Sequence, residues 1–268
     1  MSVAIGSKGL QALNVIAVVA TIVVNALANI VPFNGRYTGE IADYFFNYFT
    51  PAGYVFSIWG VIYVLLIAFM LFQVRASQRE ANYLRQIGPL YLIAAVANIV
   101  WLVMFHYSYG NDLLFVFTII PIVGLLLTLI VIYNRLGVGR ILVSRNERLA
   151  VQLPVSVYLG WISVATIANT ASVLNVLVPG ITLSAQHVTT GVMVLVALVL
   201  TFLMLYQRHD YAFGLVFAWA SVGIGIKHSS ILVISYTAIG AAVVAVLLIV
   251  LLPVVMRKNI LDFYMLRS

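Results

Sequence analysis

The chain has 268 residues, of which 64% are hydrophobic and 8% charged. A soluble domain carries about 25% charged residues, and this apolar content suffices for about eight membrane crossings at about 20 residues each. These figures exclude a soluble globular enzyme and a disordered chain. The long unbroken apolar runs argue against an outer-membrane barrel, whose strands alternate. The fold class is all-α, a polytopic transmembrane helix bundle.

The formal net charge is +7. In a soluble protein that balance points to nucleic acid. Here the basic residues lie between hydrophobic runs, so no nucleic-acid partner is expected and the charge reads as topology and contact with anionic headgroups. The chain has no cysteine, which removes disulfides, thiolate metal sites and cysteine nucleophiles from consideration.

Hydropathy predicts spans at 10–31, 53–74, 88–106, 113–134, 152–178, 188–207, 211–226 and 231–252. All 14 basic and 7 acidic residues fall outside these windows, as the cost of a charge in hydrocarbon requires. The first span follows Lys8 and ends near Ala26-Leu27-Ala28, the grammar of a cleavable signal peptide. Its apolar run is long for that role, so it is read as a retained helix. Segment 32–52 carries Phe33, Tyr37, Tyr44, Phe45, Phe46, Tyr48 and Phe49; it is an aromatic interface belt, a lid over a cavity, or both. Only Pro121 lies mid-span, so the fourth span should kink there. The seventh window is the shortest, and Arg208 and Lys227 would snorkel to complete it. Twelve of the fourteen basic residues fall on one side, leaving Arg36 and Lys227 on the other. The positive-inside rule then puts both termini in the cytoplasm, in a bacterial inner membrane.

Three motifs in order carry a resemblance. The second span begins Pro51-Ala52-Gly53-Tyr54-Val55-Phe56-Ser57-Ile58-Trp59-Gly60-Val61-Ile62-Tyr63. The third holds Asn98-Ile99-Val100-Trp101 followed by Phe105, and the fifth holds Pro154, Tyr158, Trp161, Ala165 and Asn169. Residues 10–178 thereby resemble the tryptophan-rich sensory protein family (translocator protein, TspO/MBR), whose usual unit is five helices. The resemblance implies a five-helix unit over 1–178, with three additional helices and a short cytoplasmic tail over 179–268. It also implies a flat hydrophobic ligand, since the family is associated with tetrapyrroles and sterol-like lipids. Porphyrin or haem would then be ligands, and no bound cofactor is otherwise expected. The expected partners are that small molecule and membrane lipids, and a homo-oligomer stays open.

The spans hold no Asp, Glu, Lys or Arg, which argues against ion-coupled transport. Their polar groups are amides, hydroxyls and aromatics. The expected ligand-binding set is Trp59, Tyr63, Asn98, Trp101, Tyr158, Trp161 and Asn169, with flat rings stacking on the guest and amides orienting it. The competing reading of Asn25, Asn29, Asn98 and Asn169 is interhelical hydrogen bonding. Trp219, on the seventh span, would join the same cavity, and Arg36 or Lys227 would meet ligand carboxylates at its rim. His106, His187 and His228 fall at the outer surface on different loops and read as solvent-exposed rather than as metal ligands. Gly223, Gly225 and Gly240 would allow close helix approach. No catalytic residue is assigned, and an enzyme acting on the ligand is a rival reading, as is an uncoupled facilitator with a polar path along Asn25, Asn98 and Asn169.

Overall fold

The computed structural model describes residues 6–264, which form helices and turns with no strand. The helices are α1 (Ser7–Ile30), α2 (Thr38–Tyr44), α3 (Ile58–Gln73), α4 (Asn82–Ile87), α5 (Leu90–Tyr107), α6 (Asp112–Phe117), α7 (Ile119–Arg135), the single turn α8 (Arg145–Glu147), α9 (Leu153–Leu177), α10 (Leu183–Arg208), α11 (Tyr211–Lys227), α12 (Leu232–Val255) and α13 (Ile260–Phe263). Among the described residues, seven helices are long and apolar enough to cross a membrane, and the protein is an integral membrane protein.

The expected seventh span is the exception. Helix α11 has 17 residues, about 26 Å at 1.5 Å per residue, which is less than the roughly 30 Å hydrocarbon core. It packs against α9, α10 and α12. Most of its residues are buried, so neighbouring helices supply much of the environment that lipid gives a longer span.

In the fourth span the regular helix is interrupted at Thr118, three residues before Pro121, with the backbone there still right-handed helical. Pro121 has no N–H to donate to the Phe117 carbonyl one turn earlier, and α6 gives way to α7 at Thr118. The Thr118 hydroxyl donates to the Phe115 carbonyl at 2.6 Å, covering part of the interrupted ladder.

Helices α1, α5, α7, α9 and α3 form a closed ring in that order, each packed on the next. Helix α9 also carries α11 on its other side, and a helix apolar all round belongs in such a central place. Small residues permit the approach: a Cβ on Gly160 would stand 3.2 Å from Val216 Cβ. Helix α11 ties α10–α12 to the ring at both ends. The Ala52 N–H donates to the Gly223 carbonyl at 3.2 Å, and the Tyr133 hydroxyl donates to Asp210 at 2.9 Å. Gly223 and Gly225 do allow close packing, against Val55 and Pro51 and against Ile239 respectively, whereas Gly240 faces open space.

Candidate functional site

Segment 32–52 closes one end of the ring. Its helix α2 starts where the Glu40 carboxylate accepts the Tyr37 N–H at 2.7 Å, an acid placed in a first turn where it offsets the helix dipole. Beyond α2 the chain is pinned to α9 through Asn47. That carboxamide donates to Ser172 Oγ at 2.6 Å, to Thr50 Oγ1 at 2.7 Å and to the Ala168 carbonyl at 3.2 Å. The Ser172 hydroxyl in turn donates to the Phe45 carbonyl at 2.5 Å. Phe45 lies flat on Phe115, ring centres 3.6 Å apart. The segment thus forms a roof over the ring, pinned to α9 by Asn47 and Ser172 and packed on Phe115.

Beneath it lies a cavity of two adjoining lobes. The roof-side lobe, about 60 Å3, is walled by Phe45, Phe105 and Phe115, with Asn47, Asn169 and Ser172 as its polar spots. The inner lobe, about 360 Å3, is walled by Trp59, Tyr63, Asn25, Asn29, Leu102 and Ile122. Thr38, Phe56, Trp101, Trp161 and Ala165 line both. No charged side chain lines either lobe. The inner lobe falls within the roughly 300–1,000 Å3 range of small-molecule sites, which are characteristically apolar with a few convergent polar groups.

The aromatic wall combines edge-to-face and stacked pairs. Trp59 meets Trp161 at 6.3 Å and 82°, Phe56 meets Trp161 at 5.7 Å, and Trp59 stacks on Tyr63 at 5.8 Å. Trp101 stacks on Phe105 at 5.1 Å. The indole N–H groups of Trp101 and Trp161 are buried without an acceptor among the described residues. Both residues line both lobes.

Of the expected site residues, Trp59, Tyr63, Trp101, Trp161 and Asn169 line the cavity. Asn98 and Tyr158 stand behind the lining. Asn98 is fully buried and accepts a 2.6 Å hydrogen bond from Asn25. Tyr158 packs on Trp59 at 6.0 Å, beside the Asn98 carboxamide. Asn169 Nδ2 donates to the Thr118 hydroxyl at 3.1 Å, so Asn25, Asn98 and Asn169 make the interhelical bonds that lipid demands, whereas Asn29 donates to the Asn25 carbonyl within α1 at 2.8 Å. Trp219 lies elsewhere: its indole donates to the Val55 carbonyl at 3.1 Å, and it is 38% exposed. Arg36 pairs with Glu40 at 3.6 Å and lies over Tyr109, and Lys227 pairs with Asp43 at 3.2 Å. Both rim cations are therefore engaged with the protein itself.

The histidines correct the sequence expectation. His106 and His228 are buried, not solvent-exposed. His106 bonds the Leu102 carbonyl at 2.8 Å and Thr38 at 3.3 Å. His228 packs under Phe46 and Tyr48, and burial together with Lys227 and His187 pushes its pKa down to about 4. Among the described residues no group of three His, Asp or Glu could hold a metal ion.

Phe45 belongs to the segment expected as a lid, while sequence reading missed the roof contributors Thr38 and Asn47 and, on α9, Ala168 and Ser172. One signal was available: Ala165, Ala168, Asn169 and Ser172 recur at helical spacing, a stripe of small and polar residues on one face.

No curated protein and no solved structure matches the chain. The family model described as TSPO-like protein matches residues 11–251. The match runs through all five helices of the ring and continues across α10, α11 and most of α12, so the C-terminal helices are covered by it as well. With the greater part of its length matched, the chain belongs to the family of TSPO-like proteins.

Proposed function

We propose that the protein binds a flat hydrophobic small molecule, a tetrapyrrole or a sterol-like lipid, in the two-lobed cavity and serves as its sensor or transporter. The observation that carries this reading is the meeting of Trp59, Trp101 and Trp161, from three different helices, around a space with no charged lining. Flat rings on several sides favour a flat guest. Tyr63 and Asn169 also face the guest, while Asn98 and Tyr158 act one layer back by holding the wall in place. The basic loops support an orientation with both termini in the cytoplasm of a bacterial cell.

The lining favours a metal-free ring over haem. It includes no histidine, cysteine or methionine, the usual strong axial donors apart from tyrosine, and His106 is turned to Leu102 and Thr38. The same inventory gives an enzyme little to work with. The facilitator reading is also the weaker one, because Asn98 lines neither lobe and Asn169 is bonded to Thr118.

The test is a titration of protoporphyrin, with a sterol as competitor, into purified protein in mild detergent, followed by the porphyrin's absorption band. Saturable binding that Trp101→Ala and Trp161→Ala weaken tenfold or more supports the proposal. Non-saturable uptake that is equal in the variants contradicts it.

A further inference from the structure

At the other end of the bundle, far along α9 from the roof, a second pocket opens where three connections meet. It is lined by Arg148, Gln152, Ser156, Arg208, His209 and Asp210, among others, and has a volume of about 40 Å3. That suits a single small polyatomic ion or one headgroup phosphate, and it is far too small for a nucleotide.

The backbone around it is unusual on every side. Arg148–Gln152 form a π-helical turn ahead of Pro154, and such turns occur often at functional sites. His209 adopts φ 51°, a left-handed conformation uncommon for a residue with a side chain. Gly139, at φ 70°, lies so close to the Arg208 carbonyl that no side chain fits. His209 closes α10 as a left-handed cap, its N–H bonded to the Met204 carbonyl, so the pocket sits where a helix end meets a π-helical turn.

The charges make the pocket electropositive. Arg140 lies near Arg208, and Lys258 lies near His209. The one carboxylate lining it, Asp210, is buried and already occupied: Oδ1 accepts the Phe213 N–H at 3.0 Å and Oδ2 accepts the Tyr133 hydroxyl at 2.9 Å. Burial also pushes the Asp210 pKa up, weakening its hold on charge. Arg148 donates to the Tyr264 carbonyl at 3.5 Å, and Arg208 donates to the Val138 carbonyl at 3.4 Å and to Asn134. A guanidinium has five N–H donors, so both arginines keep several for a ligand. The Nδ1 of His209 is buried and unpartnered among the described residues.

We infer that this pocket is an anion site for one phosphate group, gripped by Arg148 and Arg208 with Gln152 and His209 beside them. Paired guanidiniums match the oxygens of phosphate in a bidentate fork, which lysine does not. The phosphate is that of an anionic lipid headgroup or free inorganic phosphate. Because α10 and α11 meet the ring at this pocket, its occupant bridges the two parts of the molecule. The site is independent of the aromatic cavity, and each fails or stands without the other.

The experiment has two arms, run on wild type, Arg148→Gln and Arg208→Lys, with a monodisperse elution profile and a cooperative unfolding transition as the check that each variant is folded. In the first arm, inorganic phosphate is titrated in non-ionic detergent against a chloride background while the unfolding temperature is followed. In the second, protein from vesicles of equal phosphatidylglycerol and phosphatidylcholine is examined by native mass spectrometry. A saturable phosphate shift, weakened tenfold or more in the variants, supports the site with free phosphate as its ligand. Selective retention of phosphatidylglycerol, lost in the variants, supports it with a headgroup as its ligand. A wild type showing neither response, or folded variants responding as wild type does, overturns the inference.

Discussion

The Asn25 side chain, in the cavity wall, donates across 2.6 Å to the carboxamide of Asn98 behind it, joining α1 to α5. Asn25 also donates to the Thr21 carbonyl at 2.8 Å. Asn98→Ala removes the interhelical bond and truncates a buried side chain. The expected cost is about 1–2 kcal/mol, read as an earlier midpoint in detergent unfolding. An unchanged midpoint would show that the bond contributes nothing to the ring.

Asn14 presents the opposite case. Both polar atoms of its side chain are buried with no hydrogen-bond partner among the described residues. Burying an amide unpaired costs about 1–3 kcal/mol, and an apolar group of similar shape escapes that cost. Asn14→Leu should therefore leave the unfolding midpoint unchanged or raise it. A drop as large as that of Asn98→Ala would contradict this account of the position.

Gly223 is the seam between α11 and the start of the second span. A Cβ there would collide with Val55 Cγ2 and stand 3.2 Å from Pro51 Cβ, and the Gly223 carbonyl accepts the Ala52 N–H. Gly223→Val forces the two apart at an expected cost of about 1–3 kcal/mol. Gly240→Ala on α12, where the added carbon meets nothing within 4 Å, should be silent in the same thermal melts.

His228 makes stability depend on pH. It titrates near 6.5 when unfolded and near 4 when folded, because burial disfavours its charge and Lys227 and His187 stand beside it, while only the Thr50 carbonyl favours the proton. Tyr48 and Phe46 cover it, and Asp43 is taken by Lys227. Between those values the unfolded chain holds more protons, so stability falls as pH drops, with a limiting slope of about 1.4 kcal/mol per unit. Above the upper value the contribution is flat. His209, whose pKa burial also lowers, and the buried His106 add to the same decline. Thermal melts from pH 7.5 to 5 should show it and His228→Gln should reduce its slope, whereas an identical slope would remove His228 as a contributor.

Much of the architecture was legible in hydropathy and charge. The spans follow from the cost of charges in lipid, and the interruption at Thr118 lies one turn from Pro121, which lacks an N–H. What stayed hidden was long-range packing. His106 ends a helix and precedes a loop, which reads as surface, yet the roof segment from 32 onward folds over it. Trp219 looked equivalent to the other tryptophans because spacing along one helix does not say which neighbour covers which face. Trp59, Trp101 and Trp161 were found because their motifs carry a family resemblance. Thr38 and Asn47 were not, since their place depends on how a 21-residue connection folds back.

Ala165 lines both lobes between Trp101 and Trp161, and Ala165→Trp would fill the cavity without removing any wall residue. Native mass spectrometry of the wild type and of this variant, each purified in mild detergent after exposure to protoporphyrin or a sterol, asks most directly whether the hollow is a binding site. The account predicts one small molecule retained per wild-type chain and none on the variant. Equal retention by both proteins, or retention by neither, would contradict it.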